Sequence, residues 1–267
     1  MKKIAIIPTL FTLGNAVCGF AAMALASRID QAPENDIYFA CSAWLILAAM
    51  LFDLCDGYLA RLSKSASEFG GQLDSLCDAI SFGAAPAFLL LRLGRDWPTT
   101  TPVIRQAVAV VAALYLVCAV LRLARFNLEN SPDPASHKRF KGLPSPAAAG
   151  CIASLALLRS GLAAEWTGFD PGLVQVWVRV WAPLGALLVA LLMVSRVPYP
   201  HLTKQLLRGR RHFSYLMRII LAGALIVLMR ELALVVIFWG YALSMPTRYL
   251  LARRLRVPAP GHEVLPR

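Results

Sequence analysis

Long apolar stretches, broken by short polar clusters, run almost the whole length of the chain. A helix of about 20 apolar residues crosses a ~30 Å hydrocarbon core, and on that rule the pattern predicts about eight spans. They cover residues 4–27, 37–60, 72–91, 104–124, 146–164, 173–195, 213–229 and 232–250. Only Arg230 and Glu231 separate the last two, and Arg218 lies inside the first of that pair, so a six-span core followed by a re-entrant or interfacial hairpin is the other reading. The expected fold class is all-α, a polytopic transmembrane helical bundle. One membrane domain covers 1–212, additional C-terminal membrane helices cover 213–256, and a proline-rich, charged tail over 257–267 is expected to be disordered.

Composition agrees with the pattern: hydrophobic residues make up 58% of the 267 positions, and the mean hydropathy is +0.61, far above that of a soluble domain. The Met1-Lys2-Lys3 start could open a signal peptide, but the apolar run that follows is long and has no small-x-small cleavage site, so it reads as a retained first span. The formal charge of +12 would suit a nucleic-acid binder if the basic residues were clustered among aromatics, and they are not. If the spans alternate, all 27 Lys and Arg residues except Arg28, Arg92, Arg95, Arg105, Arg159, Arg179 and Arg230 fall on one side. The positive-inside rule makes that side, with both termini, cytoplasmic. Such a rim also suits anionic lipid head groups and nucleotide phosphates. Cys18, Cys41, Cys55, Cys77, Cys118 and Cys151 lie inside spans with no CxxC pair and read as small hydrophobes. His137, His201, His212 and His262 lack metal-ligand spacing. With no organelle targeting signal, the expected location is the inner membrane of a prokaryotic cell, with the active site facing the cytoplasm.

The chemistry concentrates where spans two and three approach the cytoplasmic side. Asp53, Asp56, Asp74 and Asp78 follow the spacing D-x2-D-G-x2-A-R-x8-G-x3-D-x3-D. Carboxylates at membrane depth are costly unless paired or bound to a cation, so four together point to a functional site. At 1.5 Å per residue, Asp53 lies about 12 Å before Arg61 and Asp78 about 11 Å beyond Gly71, at similar depth. Asp53 and Asp56 are about 60° apart on their helix and Asp74 and Asp78 about 40° apart, so each pair shares a face. Two such helices can put four carboxylates around one or two ions. Hard oxygen ligands favour Mg2+ or Mn2+, and the lack of His or Cys at metal spacing argues against zinc. Gly57 and Ala60, on or near the aspartate face, let a ligand or a helix approach the backbone; Gly70 and Gly71 permit a tight turn. Arg61 reads as a phosphate clamp, and Ser67 can donate to the same group.

The aspartate signature resembles that of the CDP-alcohol phosphotransferase family at every defined position. The resemblance implies a CDP-linked lipid donor, with CMP leaving. Carried onto this chain, it makes Asp53, Asp56 and Asp74 metal ligands and Asp78 both ligand and general base, with two Mg2+ or Mn2+ ions expected. Gly57, Ala60, Arg61, Ser67 and Gly70 take positions associated with the CDP-lipid. The first span carries Ile7-Pro8-Thr9-Leu10-Phe11-Thr12-Leu13-Gly14-Asn15, similar to the family's Pro-Asn-x-x-Thr start of the first helix, with Thr9 in place of Asn. Thr12 joins the CDP-lipid group, and Asn15 is a further polar residue facing the site or a neighbouring helix.

Two later segments, Arg122-Leu123-Ala124-Arg125-Phe126-Asn127 and Phe140-Lys141-Gly142-Leu143-Pro144-Ser145-Pro146 onward, look like the branch of the family whose acceptor is serine. The resemblance covers roughly the first 150 residues. It implies transfer of a phosphatidyl group from CDP-diacylglycerol to the hydroxyl of L-serine. Serine also brings a carboxylate and an ammonium, so its pocket needs a fixed cation and oxygen acceptors. Arg122, Arg125, Asn127 and Lys141 are the candidates. Glycerol 3-phosphate, inositol or choline are the alternative acceptors. A divalent-cation transporter is the alternative of another class, disfavoured because no other span continues an acidic path. Membrane lipids surround the chain, and a homodimer is implied by the resemblance alone.

Overall fold

In the computed structural model the described residues are 6–29, 35–62, 68–93, 102–129, 142–160, 170–195, 197, 199 and 231–254. All of the secondary structure among them is helical. The helices are α1 (Ile6–Ser27), α2 (Asn35–Leu62), α3 (Glu68–Asp78), a π-helical turn (Ala79–Ala84), α4 (Ala85–Leu93), α5 (Pro102–Glu129), α6 (Ser145–Arg159), α7 (Pro171–Val194) and α8 (Glu231–Arg254). Five stretches are long and apolar enough to cross a membrane: Pro8–Ser27, Asp36–Leu59, Phe69–Leu93, Pro102–Leu128 and Gly172–Val194. Two shorter apolar helices, Ser145–Arg159 and Glu231–Thr247, join them. Seven of the predicted spans thus coincide with helical stretches; the predicted span 213–229 lies outside the described residues, as does the tail 257–267.

The chain begins and ends its helices where proline and small polar residues dictate. Pro144 takes an extended conformation ahead of α6, and Pro146 occupies the first turn, where its missing N–H costs nothing. Asp170 caps α7 by accepting from the Gly172 N–H at 2.9 Å. Glycines 70 and 71, expected in a tight turn, are instead inside the first turn of α3, which already starts at Glu68.

Helix α6 is the centre of the bundle. Its stripe of Ala147, Ala148, Ala149, Gly150, Cys151, Ala153 and Ala156 is buried, and α2, α4, α7 and α8 pack around it. Small side chains let backbones approach closely, which is how helices associate where lipid offers no hydrophobic drive. A methyl group on Gly150 would overlap the Phe238 ring, and one on Gly185 would overlap Trp239. The Trp239 indole N–H donates to the Cys151 carbonyl at 3.2 Å. Large apolar side chains such as Phe20, Leu51, Val110, Trp177 and Leu184 remain exposed on the outside, as a lipid-facing surface requires.

The predicted third span is interrupted directly after Asp78 by the π-helical turn. Pro86 has no N–H to give the carbonyl four residues back, at Phe82. The buried Tyr115 hydroxyl from α5 donates to that carbonyl at 3.0 Å. On the other side of the turn, Ser81 Oγ donates to the Asn15 carbonyl at 2.8 Å, and Gly19 lies so close to Ser81 that any side chain would overlap it. Single π turns of this kind are frequent at functional sites.

Between α5 and α6, Gly142 adopts φ 98°, a conformation suited to glycine. A methyl there would overlap the Met193 carbonyl oxygen. Gly142 N–H donates to the Val197 carbonyl at 2.9 Å and Leu143 N–H to the Leu192 carbonyl at 3.0 Å. These bonds tie the start of α6 to the end of α7.

Candidate active site

Helices α2 and α3 bring Asp53, Asp56 and Asp74 together: one oxygen from each lies within 4.8 Å of the others. Asp56 is buried, and its Oδ2, like the buried Oδ1 of Asp74, has no hydrogen-bond partner among the described residues. Convergent carboxylates, two of them with a buried oxygen left unpartnered among the described residues, are the kind of donor set a hard divalent cation requires. These residues therefore fit a metal ion. The Thr12 hydroxyl, which donates to the Pro8 carbonyl at 3.0 Å, also faces the Asp56 carboxylate.

Asp78 sits beyond this group of three. It is buried, and its Oδ1 accepts from Asn15 Nδ2 at 2.9 Å. It follows Asp74 by one helical turn and stands at the junction of α3 with the π turn. Asn15 follows Thr12 by three residues, so the two polar groups of α1 share a face toward the carboxylates.

Cations approach from α5. The Arg122 guanidinium donates to Ser145 Oγ at 2.5 Å and interacts electrostatically with Asp78, Tyr115, Tyr241 and Asp53. Arg125 and Asn127 continue α5 toward its end. Ser75, between Asp74 and Asp78, donates to Asn127 Oδ1 at 3.0 Å. Gly57, next to Asp56, meets nothing within 4 Å of where a side chain would start, among the described residues, so none of the described helices presses against it. Gly70 lies in α3 below Asp74. Ala60 and Arg61 are on α2, but their side chains lie outside the described residues, as do Ser67 and Lys141 entirely.

Residues that the sequence did not single out complete the surroundings. Ser145 holds Arg122, Tyr115 supports the π turn, and Tyr241 on α8 reaches the electrostatic neighbourhood of Arg122. Tyr115 and Tyr241 are marked in the sequence only as polar groups in apolar stretches, and Ser145 only as part of the segment 140–146. Which helices they join is decided by packing.

Residues 5–192 match the sequence model of the CDP-alcohol phosphatidyltransferase family. The chain belongs to that family and is a membrane transferase of phospholipid biosynthesis. It is 31% identical over 206 residues to the CDP-diacylglycerol–serine O-phosphatidyltransferase of Helicobacter pylori, an alignment covering 76% of each chain. It is 30% identical to the Bacillus subtilis enzyme of the same name, over 74% of this chain and 92% of that one. The archaetidylserine synthase of Methanothermobacter thermautotrophicus is 33% identical, over 73% of this chain and 69% of the relative.

Proposed function

We propose that the protein transfers the phosphatidyl group of CDP-diacylglycerol to the hydroxyl of L-serine, giving phosphatidylserine and CMP. The observation that carries the reading is the convergence of the Asp53, Asp56 and Asp74 carboxylates beside a fourth, Asp78, held by Asn15. The relatives that share this chain's sequence are named for a serine acceptor, which supports that choice of alcohol.

In this reading Asp53, Asp56, Asp74 and Asp78 would hold two Mg2+ or Mn2+ ions. Such ions, when bound, neutralise charge on a pyrophosphate and favour in-line displacement. Asp78 takes the proton of the acceptor hydroxyl as its oxygen attacks the phosphatidyl phosphorus. The bond from that phosphorus to the CMP oxygen breaks, and CMP leaves with the electron pair. Gly57, Ala60, Arg61, Ser67, Gly70 and Thr12 bind the CDP-lipid. Arg122, with Arg125, Asn127 and Lys141, receives the acceptor; a guanidinium can hold its carboxylate through two parallel hydrogen bonds.

The same reading sets the molecule in the inner membrane with the aspartates and both termini toward the cytoplasm. Eight spans make up the chain, six in a family core within 1–212 and two more within 213–256, and two copies form a homodimer.

The test is CMP release by the purified protein in detergent, given CDP-diacylglycerol, Mg2+ or Mn2+, and serine, glycerol 3-phosphate, inositol or choline in turn. Serine alone should support release, and Asp78→Asn should reduce it by about 10²-fold or more, as expected on losing a general base. Release with another alcohol alone would move the acceptor assignment to that alcohol. Unchanged release by Asp78→Asn would remove the base assignment.

A further inference from the structure

Asn15 stands out because its position in the fold does not depend on its amide. Helix α1 is already locked to the π turn by the Ser81 Oγ bond to the Asn15 carbonyl, at 2.8 Å, and by the close approach of Gly19 to Ser81. The side chain is fully buried. One end of the amide donates to Asp78 Oδ1 at 2.9 Å, while the other end, Oδ1, is buried with no hydrogen-bond partner among the described residues. A buried acceptor left unmade is destabilising, and an apolar group of similar shape at the same place would remove that orphan while stranding Asp78 Oδ1 in its stead. The one contact the amide makes is with the carboxylate that the proposed reaction uses as a base.

We infer that Asn15 is a positioning residue for the transfer reaction: its N–H holds one oxygen of Asp78 so that the other is presented to the acceptor hydroxyl. The inference rests on the proposed function and goes beyond it in assigning α1 a role in the proton transfer. A carboxylate on a flexible side chain samples several orientations, and only some put an oxygen within reach of the hydroxyl proton. Fixing one oxygen from α1 while α3 carries the backbone restricts the remaining oxygen to one direction. The hydrogen bond is already made without substrate, so its loss is expected to act on the chemical step more than on the affinity for either substrate.

The experiment compares Asn15→Leu and Asn15→Ala with the wild-type full-length chain in detergent. CMP release gives kcat and KM for acceptor and CDP-diacylglycerol, and a thermal unfolding scan gives Tm. Leu reproduces the branched shape of Asn without polar atoms; Ala removes the amide without adding volume and keeps the test open if Leu does not fit. Loss of a hydrogen bond to a charged group should lower kcat by about 10- to 100-fold. Both KM values should stay within about twofold, and the Tm of at least one variant should fall by no more than a few degrees, because the orphan Asn15 Oδ1 is removed while Asp78 Oδ1 loses its donor. A kcat within twofold of wild type in either folded variant overturns the inference, as does an activity loss that only tracks a lowered Tm in both. Wild-type release with serine belongs to the proposed function. If another alcohol is the acceptor, the same ratios are measured with that alcohol. If no alcohol supports release, Asp78 is not a base and the inference falls with it.

Discussion

Gly57 is the residue at which helix packing and ligand binding make opposite predictions. A glycine kept for packing has a neighbour pressed against it, as Gly150 has Phe238, but Gly57 faces open space among the described residues. Alanine there should leave Tm unchanged or raise it, because glycine inside a helix is about 0.5–1 kcal/mol less favourable than alanine. If the space is where the CDP-lipid approaches the backbone, Gly57→Ala should raise the KM for that substrate by about tenfold or more, the effect of losing roughly 1.4 kcal/mol of contact. A thermal scan and a CDP-lipid titration together decide it; a lowered Tm with unchanged KM would return Gly57 to a packing role. The carboxylates beside it were legible in the sequence because charge inside an apolar stretch is itself a signal. The division among them was not. Helical spacing alone puts all four aspartates on facing edges, but only Asp53, Asp56 and Asp74 converge within 4.8 Å, and Asp78 is met by Asn15. That pairing depends on the register of α1 against α3, which no local pattern encodes.

Helix positions followed from apolar length, and the boundaries moved where local chemistry overrode it. The third span shows why. Read as one continuous helix, it is divided into α3, a π turn and α4, with Pro86 leaving the Phe82 carbonyl without its usual helical donor. The partner it finds, the Tyr115 hydroxyl, lies 33 residues away in sequence. The turn was invisible to a reading by apolar length because it changes no residue's polarity. Tyr115→Phe retains the ring and removes this donor from the Phe82 carbonyl. The expected cost is about 1–3 kcal/mol, read as a lowered Tm. Because Asp78 immediately precedes the turn, activity should fall as well even at temperatures where the variant remains folded. An unchanged Tm would mean that the Phe82 carbonyl does not depend on Tyr115.

At the scale of the whole molecule, α8 raises the question of what lies beyond the family match, which ends at residue 192. Sequence placed a membrane helix there but gave no reason for it to touch the rest. In the structure it is joined to the core by several independent links. Phe238 and Trp239 fill the spaces left by Gly150 and Gly185, the Trp239 N–H meets the Cys151 carbonyl, and the Tyr199 hydroxyl donates to the Ala242 carbonyl at 2.8 Å. That last carbonyl lies four residues before Pro246, which has no N–H to offer it. The arrangement repeats that of Tyr115, Phe82 and Pro86 in a second place. Removing α8 from a soluble protein would expose apolar surface to water, but in a membrane lipid would cover it, so the loss is of shape-matched packing and hydrogen bonds rather than of hydrophobic burial. A chain ending at residue 256 should therefore match the full-length protein in Tm and CMP release. A chain ending at residue 212 should lose Tm by several degrees, and with it the support behind α6, whose first residue, Ser145, holds Arg122. The acceptor KM should rise in the shorter chain more than the CDP-lipid KM if Arg122 receives the acceptor as proposed. Equal activity in the two chains would make α8 a peripheral addition and leave residues 1–212 sufficient for catalysis.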